Sequence, residues 1–284
     1  MPIILPKKDK GGITITYSVL MSVYHKEQPM FLEESLQSIL NQTIPTDDFV
    51  LVCDGPLTNE LDDVINGMQS KFGDVLHVVR LPQNGGLGNA LNHGLKFCKN
   101  ELVARMDSDD VSRPDRCEKQ LHVFRSNRNI SLSSGTVSEF DSDIHSPTGK
   151  RQLPISNEEI VAFSRKRNPI NHPCVMFKKS AVIQSGGYKE TYHLFEDYYL
   201  WVRMLQHHFI AYNLPDILLD MRTPSDMYMR RGGKEYAKDM LRFHEWMKET
   251  GWTTNTDYIT GAWPHAIVCV LPNKMRKAVY NALH

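Results

Sequence analysis

The chain has 284 residues, enough for one sizeable core with or without an appended subdomain. Its 33 Lys and Arg residues balance 33 Asp and Glu residues, so no global field favours nucleic acid, and we expect no nucleic-acid partner. Five scattered cysteines without CxxC or zinc spacing fit a reducing cytoplasm. The N-terminus lacks the order of a secretory signal, and no stretch reaches the roughly 18 apolar residues of a membrane helix. We therefore expect a cytoplasmic protein.

The first part of the chain alternates buried strands with amphipathic helices. Apolar, β-branched runs predict strands at 15–24, 49–54, 75–81 and 101–107. Apolar residues at helical spacing predict helices over 32–40, 61–72 and 90–95. Such alternation with short connections is typical of a Rossmann-like, doubly wound α/β sheet, mostly parallel, with helices on both faces.

Beyond residue 113 the rhythm is looser. Helices are predicted at 114–126, from Ser156 through Phe163 where "SNEE" has the capping-box form, and at 195–205. Strands are predicted at 131–140 and 174–179 and as two separate strands in "FIAYNL" and "DILLDMR", with a polar loop around "DSDIHSPTGK". The last sixty or so residues are predicted to be helical.

Polar residues cluster where the first four strands end. They are Tyr24, His25, Glu27, Asp54, the segment 84–88 and the segment 107–110. Open α/β sheets place their ligand crevice at the carboxyl ends of parallel strands. Four separate loops are therefore expected to converge on one cleft.

The segment "RMDSDDVSRPDR" places Asp107, Asp109 and Asp110 at the end of the fourth predicted strand. Aspartates also favour turns, but here the flank is a buried strand, and Arg113-Pro114 begins the next helix independently. Two carboxylates one residue apart suit a hard divalent cation that keeps positions for phosphate oxygens. Mg²⁺ or Mn²⁺ is therefore the expected cofactor. An EF-hand is excluded because its glycine and distal glutamate are missing.

Five motifs in order carry a resemblance to a known family: "SVLMSVYHKEQPMFLEESLQSILNQT", "VLVCDG", "QNGGLGNALNHGL", "ARMDSDD" and "FEDYYLWVRM". Over roughly residues 15–230 the chain resembles a family 2 glycosyltransferase of the GT-A fold, most of all the bacterial enzymes that build surface polysaccharide. The resemblance implies an enzyme that transfers a sugar from a nucleotide-sugar donor.

The resemblance also implies a nucleotide site. Its expected members are Ser22, Val23, Tyr24, Glu27, Asp54, Asn84, Gly85, Gly88, Asp107, Arg222, Arg230 and Arg231. Tyr24 offers a stacking face for the base, and Asp54 would accept the imide N–H of uracil, although a turn or cap role is the alternative. Glycine in "NGGLG" allows the backbone to approach the nucleotide closely. A solvated surface is the alternative for the paired arginines.

The family pattern makes Asp109 the direct metal ligand and Asp107 a metal or ribose ligand, and it leaves the role of Asp110 open. Its ED motif maps onto Glu196-Asp197, with Asp197 as general base and Glu196 binding the acceptor or orienting its neighbour. The alternative, that both acids favour the positive end of a helix, is compatible with catalysis. One base without a second nucleophile implies inversion at the anomeric carbon.

The acceptor site is expected near "NHPCVMFKK", where His172 either binds a sugar or is structural. Relatives often carry a histidine two residues after the arginine that corresponds to Arg222. Thr223-Pro224 stand there instead, which leaves a third metal ligand from this loop in doubt. The processive signature QxxRW is absent, which argues against chain polymerisation.

The predicted organisation is an N-terminal extension (1–14), a catalytic domain (15–230) with a nucleotide-binding half (15–112) and an acceptor half (113–230), and a C-terminal helical extension (231–284). The segment "AIVCVLPNKMRKAVYNAL" could lie on an anionic membrane. A packed terminal helix with a wet basic side is the modestly favoured alternative. A membrane position at the inner face of the plasma membrane would suit a lipid-linked acceptor.

The function expected is inverting transfer of a single sugar, from a donor expected to be UDP-linked, to a saccharide or lipid-linked saccharide acceptor in polysaccharide, O-antigen or capsule synthesis. One alternative is a GT-A-like nucleotidyltransferase, which would need a glycine loop after the first strand where "SVYHKEQ" stands. The other is a non-catalytic nucleotide- or glycan-binding protein, which would tolerate loss of Asp197.

Overall fold

The computed structural model describes residues 15–192, 194–223 and 233–271. The predicted extension 1–14, the predicted boundary at 231 and residues 272–284 lie outside these ranges. The strands are β1 Tyr17–Val23, β2 Asp48–Cys53, β3 Leu76–Arg80, β4 Leu102–Asp107, β5 Val111–Ser112, β6 Ile130–Phe140, β7 Gly149–Arg151, β8 Met176–Lys178 and β9 Ile210–Arg222. They form one sheet in the order β3-β2-β1-β4-β8-β6-β9-β5, with β7 paired to β6.

Helices cover both faces of the sheet. They are α1 Pro29–Leu40, α2 Asn59–Phe72, α3 Leu87–Phe97, α4 Arg116–Ser126, α5 Asn157–Phe163, α6 Lys179–Gln184, α7 Glu196–Gln206, α8 Lys234–Glu249, α9 Asn255–Asp257 and α10 Trp263–Val270. A π-helical turn, Tyr258–Ala262, joins α9 to α10.

The chain reverses its winding direction at β1. Strands β3, β2, β1 and β4 are parallel, with β2 on one side of β1 and β4 on the other. From β8 onward the sheet is mixed, because β8 is antiparallel to both β4 and β6. A doubly wound sheet binds its ligand where the winding reverses, so the crevice is expected between the ends of β1 and β4.

The core has two layers because successive strand residues point to opposite faces. In β1, Val19 and Met21 belong to the apolar cluster with α1, α2 and α4. Leu20 between them belongs to the cluster with α3, α6 and α7. These strands are buried on both faces, which explains their near-continuous apolar sequence.

Three details differ from the expectation. The two strands predicted in "FIAYNL" and "DILLDMR" are one strand, β9, which pairs with β6 and skips two residues at Pro215-Asp216. The bulge absorbs the missing N–H of proline, so the strand continues. The short strands β5 and β7 were not predicted, and β7 lies where a loop was expected.

The C-terminal helices share an aromatic core with α7. Phe243 of α8 is fully buried, and its ring lies 4.8 Å from that of Tyr198 and 5.7 Å from that of Phe195. Ala266 and Cys269 of α10 complete this cluster. The predicted helical character is confirmed for 234–249 and 263–270. In the part of the chain that the structure describes, no helix combines the length and apolarity needed to cross a membrane.

Candidate active site

The ends of β1, β2 and β4 meet as the sequence predicts. Ser22 lies beside Asp107 in the sheet register, and the Val23 carbonyl accepts the Asp54 N–H at 2.8 Å. Tyr24 follows, 38% exposed, with its ring free to face a ligand. The loops that follow β1, β2 and β4 therefore begin side by side, at one edge of the sheet.

Asp54 organises the glycine loop. Its two carboxylate oxygens accept the backbone N–H groups of Gly85 at 2.8 Å and Gly86 at 3.0 Å, and its carbonyl accepts the Asn84 side chain at 3.2 Å. A Cβ on Gly85 would lie 2.2 Å from the Asn89 amide nitrogen, so a side chain here would force the Asn89 side chain to move. Asp54 is almost fully buried, and its binding to uracil stays a prediction.

Glu27 joins the first loop to the acidic segment. The Ser108 hydroxyl donates to one Glu27 carboxylate oxygen, while the Gln28 backbone N–H donates to the other at 2.9 Å. Glu27 also lies close enough to Asp109 to raise its pKa. This places a third carboxylate beside Asp107 and Asp109, where the sequence predicted only a helper for the nucleotide.

The three aspartates have different surroundings. Asp107 is paired with the buried guanidinium of Arg105. Burial raises the pKa of Asp109 to about 7, and the charges of Asp107 and Glu27 add to the rise. Asp110 is buried, accepts the backbone N–H of Arg222 at 2.8 Å, and has a pKa raised by burial and then by Asp109. Asp110 therefore ties the acidic loop to the end of β9.

The acidic loop fits a divalent cation that binds together with its substrate. Asp107, Asp109 and Glu27 raise one another's energy when charged, and a cation would relieve this repulsion. Within the described ranges, no group of three or more His, Cys, Asp or Glu side chains forms a ready-made metal cage. Mg²⁺ sites typically use one or two carboxylates and take the remaining oxygens from phosphate and water. The donor set present agrees with that mode.

Arg222 is buried at the junction of the acidic loop and α1. Its guanidinium donates to the Asp109 carbonyl at 3.1 Å and to Glu34 at 2.8 Å, and it stacks on the Phe31 ring at 3.7 Å. These contacts hold the acidic loop, and diphosphate binding by Arg222 stays a prediction. Arg230 and Arg231 lie outside the described residues.

Asp197 is held in a fixed orientation at the start of α7. One carboxylate oxygen accepts the Asn168 side-chain amide at 2.7 Å, and the other accepts the Tyr198 backbone N–H at 2.7 Å. Both partners donate hydrogen bonds to the carboxylate, so they fix the direction in which its oxygens point. Asp197 and its neighbour Glu196 are both partly exposed.

Glu196 has a raised pKa. Burial raises the pKa of Glu196 to about 7, and the charges of Asp197 and Glu190 add to this rise while Arg105 opposes it. Glu190 itself lies at the N-terminus of α3, where it accepts the Asn89 N–H at 3.3 Å. The glycine loop and the acidic pair are thus electrostatic neighbours.

His172 is buried and packs against the rings of Tyr188 and Trp201. Its Nε2 lies 2.9 Å from the Tyr188 hydroxyl, and its ring centroid lies 5.7 Å from that of Trp201. Burial lowers the pKa of His172 well below its usual value, and the charge of Arg105 adds to the effect. The lowered pKa favours the neutral ring. Its contacts are with other buried side chains, which supports a structural role for His172. Binding of the acceptor by His172 stays a prediction.

Arg105 and Tyr188 connect the acidic loop with the acidic pair. Burial raises the pKa of Tyr188 beyond its usual range, Arg105 opposes the rise, and Asp197, Asp107 and Glu196 add to it. One buried phenol is therefore within electrostatic range of carboxylates from both motifs. The sequence analysis did not identify Arg105, Tyr188, Asn168 or Glu190.

Comparison with known proteins shows the family of the chain. A family model described as glycosyl transferase family 2 matches residues 18–186, more than half of the chain. The chain belongs to glycosyl transferase family 2. It is 39% identical over 272 residues to the amylovoran biosynthesis glycosyltransferase AmsE of Erwinia amylovora, covering 92% of this chain and 99% of that one.

A second relative of this family 2 glycosyltransferase is an Escherichia coli enzyme named UDP-Gal:alpha-D-GlcNAc-diphosphoundecaprenol beta-1,3-galactosyltransferase. The two are 35% identical over 268 residues, which covers 94% of this chain and 96% of the relative. The predicted resemblance and the predicted enzyme class are confirmed.

The fold is similar to that of solved glycosyltransferases. A mannosyltransferase from Pyrobaculum calidifontis in complex with GDP-Man and Mn²⁺ matches with a TM-score of 0.66 at 16% identity, over 100% of this chain and 84% of that one. Staphylococcus aureus TarS 1-349 in complex with UDP-GlcNAc matches with a TM-score of 0.60 at 17% identity, over 81% and 65% of the two chains. The predicted GT-A fold is confirmed.

Proposed function

We propose that this family 2 glycosyltransferase transfers one sugar from a UDP-sugar to a saccharide acceptor linked to lipid through a diphosphate. The E. coli relative, which aligns with nearly the whole chain, is named for such a donor and acceptor. AmsE is named for the synthesis of a bacterial polysaccharide, amylovoran. The product is accordingly a repeat unit of a bacterial surface polysaccharide.

The observation that carries the proposal is the fixed Asp197 carboxylate. It is held by Asn168 and the Tyr198 backbone N–H, and its charge, like that of Asp107 in the acidic loop, raises the pKa of the buried Tyr188 phenol. Neither the nucleotidyltransferase nor the binding-protein alternative needs a carboxylate fixed in this way. Family membership also favours sugar transfer over both alternatives.

The reaction proposed is a single displacement. The acceptor hydroxyl oxygen forms a bond to the anomeric carbon while the bond from that carbon to the donor phosphate oxygen breaks. The hydroxyl proton passes to Asp197, and the nucleoside diphosphate leaves with the electron pair. One displacement inverts the configuration at the anomeric carbon. Burial raises the pKa of Glu196 to about 7, so its protonated form is proposed to donate a hydrogen bond to the acceptor.

Asp109 and Asp107 would hold Mn²⁺ or Mg²⁺ with the donor diphosphate, and Glu27 lies beside them. A bound cation would supply stabilisation of the negative charge on the leaving diphosphate. The Pyrobaculum calidifontis enzyme was solved with Mn²⁺. In the nucleotide site, Tyr24 and Ser22 are proposed to contact the nucleoside, and the glycine loop held by Asp54 to follow the diphosphate.

The proposed acceptor determines where the enzyme works. A diphosphate-linked lipid stays in the membrane, so the enzyme would act from the cytoplasm at the inner face of the plasma membrane. Peripheral contact with that membrane is part of this proposal.

The test is release of nucleoside diphosphate from a panel of UDP-sugars and GDP-mannose, with a lipid-diphosphate sugar acceptor and Mn²⁺. We expect one UDP-sugar to support turnover, and Asp109→Ala and Asp197→Asn each to lower kcat by roughly 10²–10⁴-fold, the usual worth of a general base or an electrostatic group. The product anomer, read by NMR, should be inverted.

Asp63→Asn is the matched control, because Asp63 is an exposed acid on α2, away from the crevice. It should turn over like the native chain. Full activity of Asp197→Asn, or retention of configuration in the product, would contradict the proposed mechanism. A preference for GDP-mannose would contradict the proposed donor and leave the mechanism intact.

A further inference from the structure

The loop that follows α6 is bound by both halves of the candidate site. We call its first part, residues 185–190, the connecting loop. Side chains from α3 and from α7 form hydrogen bonds with its backbone. Helix α3 begins at the glycine loop, and α7 begins with the acidic pair. The connecting loop is therefore a physical link between the two helices that carry the proposed donor site and the proposed base.

Asn92 of α3 forms two hydrogen bonds with one residue of the connecting loop. Its side-chain oxygen accepts the Tyr188 backbone N–H at 2.9 Å, and its side-chain nitrogen donates to the Tyr188 carbonyl at 2.8 Å. The amide therefore satisfies both backbone groups of Tyr188, as a neighbouring strand does in a sheet. This pairing needs a donor and an acceptor on one planar group, which an amide side chain provides.

The connecting loop lies directly against the first turns of α3. Gly187 has φ +65°, and a Cβ on it would lie 2.7 Å from the Asn92 side-chain oxygen. A Cβ on Gly88, which is one turn before Asn92 in α3, would lie 3.3 Å from the Tyr188 Cβ. The absence of side chains at these two glycines allows the backbone of the loop to approach the helix closely.

Arg203 of α7 holds the same loop from its own helix. Its buried guanidinium donates to the Ser185 carbonyl and, at 2.6 Å, to the Gly187 carbonyl. The guanidinium also lies over the Tyr199 ring, 4.3 Å from its centroid, and the Arg203 Nε donates to the Tyr199 carbonyl at 3.2 Å. The loop is therefore fixed to α7 through Arg203 and to α3 through Asn92.

The Tyr188 side chain adds contacts in the acceptor half. Its hydroxyl lies 2.9 Å from Nε2 of His172, and its ring centroid lies 6.3 Å from that of Trp201 in α7. Tyr188 is buried, so a polar group that loses its partner here is left unsatisfied, which is costly. A shift of α3 relative to α7 would therefore break contacts at one end of Tyr188 or at the other.

We propose that Asn92 is a positioning residue for sugar transfer. By fixing the connecting loop to α3, it sets the separation between the donor, which the glycine loop would hold, and the Asp197 carboxylate at the start of α7. This inference rests on the proposed function, because it takes Asp197 as the base. Asn92 acts through Tyr188 and not on the substrate. A displacement of about 1 Å between reacting groups can lower a rate by roughly 10²-fold, so loss of this pairing should be visible in turnover.

The first experiment compares the kinetics of Asn92→Ala with its nucleotide binding. We expect kcat to fall by roughly 10–10²-fold. The KM for the UDP-sugar and the Kd for UDP, measured by calorimetry, should stay within about twofold, because Asp54 and the strand ends form the nucleotide site. Asn92→Asp should lower kcat at least as much, because a carboxylate of the same shape has no donor for the Tyr188 carbonyl. Asn66→Ala, at an exposed position on α2, is the matched control and should behave like the native chain.

Hydrogen exchange gives a second readout that does not depend on turnover. The Tyr188 N–H donates to Asn92, so its exchange should be at least about tenfold faster in Asn92→Ala. The Gly85 N–H donates to Asp54 instead, and its exchange should not change.

The possible results separate this inference from the proposed function. Native kcat in Asn92→Ala, or unchanged exchange of the Tyr188 N–H, would overturn the positioning role. Loss of UDP binding together with turnover would show that Asn92 supports the fold as a whole, and it would overturn the positioning role too. If Asp197→Asn loses turnover and Asn92→Ala does not, the proposed function stands and only the positioning role fails. Full activity of Asp197→Asn would contradict the proposed function and, with it, this inference.

Discussion

Arg105 is a fully buried cation beside the acidic loop. Its guanidinium is 1% exposed, pairs with Asp107 and lowers the pKa values of Glu196 and His172 through its charge. Its Nε has no hydrogen-bond partner among the described residues. The side chain therefore acts on several groups at once and through Asp107, which makes it a positioning residue in the proposed mechanism.

Arg105→Met should damage both folding and activity. Arg105 is 1% exposed but Asp107 is 34% exposed, so loss of this pair should cost less than the about 3–5 kcal/mol typical of a fully buried ion pair. We expect a lower unfolding temperature and a kcat reduced by roughly 10²-fold, with Arg105→Lys recovering part of both. Arg128→Met, a change at an exposed position, is the control. If the Arg105→Met variant has the unfolding temperature and the kcat of the native chain, the proposed positioning role is wrong.

Glu196 gives a pH-dependent prediction. Its pKa rises from 4.5 in the unfolded chain to about 7 in the folded chain, so the folded state keeps a proton that the unfolded state has already lost. The folded state therefore loses stability as the pH rises through this window. Glu196→Gln should raise the free energy of unfolding by about 1–3 kcal/mol at pH 8 and leave it unchanged near pH 4. Denaturant titrations at the two pH values measure this, and an equal effect at both would contradict it.

At the scale of elements, the glycine loop depends on its backbone geometry. Gly86 has φ +87°, and a Cβ there would lie 2.6 Å from a carboxylate oxygen of Glu190. Gly86→Ala should destabilise the protein by more than about 1 kcal/mol and weaken UDP binding, as calorimetry would show. Gly67 in α2 has open space around it, so Gly67→Ala should stabilise by about 0.5–1 kcal/mol instead. Equal effects would show that the loop geometry is not required.

The sequence predicted the helices and strands whose apolar residues recur at a regular spacing, and it missed the elements that are too short to show such a spacing. Strands β1 to β4 and helices α1 to α3 were found within a few residues because their apolar spacing is unambiguous. Two- and three-residue strands such as β5 and β7 have no measurable period. The prediction of two strands separated at Pro215 was wrong, because a bulge in β9 accommodates the proline within one strand.

The candidate site also contains residues that the sequence predicted and residues that it missed. The strand-end residues converged because parallel strands end at one edge of the sheet. Asn168 and Glu190 carried no signal, because their partners are distant in sequence: Asp197 lies 29 positions from Asn168, and Asn89 lies 101 from Glu190. Arg105 could have been found, since residues two apart share one face of a strand and Asp107 is its neighbour there.

At the scale of the whole molecule, the C-terminal helices are packed into the fold through Phe243. The predicted division at residue 231 stays a prediction, and the shared aromatic cluster makes it testable. Phe243→Ala should cost about 3–5 kcal/mol and shift a single cooperative unfolding transition. Phe97→Ala, at an exposed position, should change little. Two separate calorimetric transitions, with only the smaller one moved, would show that the C-terminal helices unfold as a separate unit.

The central claim is that the acidic loop and the acidic pair serve one reaction centre from two sides. Its most direct test is a crystal structure with Mn²⁺, UDP and the acceptor sugar. We expect Asp109 to contact the ion and an Asp197 carboxylate oxygen to lie about 3 Å from the acceptor hydroxyl. An ion bound away from Asp109, or an acceptor hydroxyl beyond the reach of Asp197, would contradict the account.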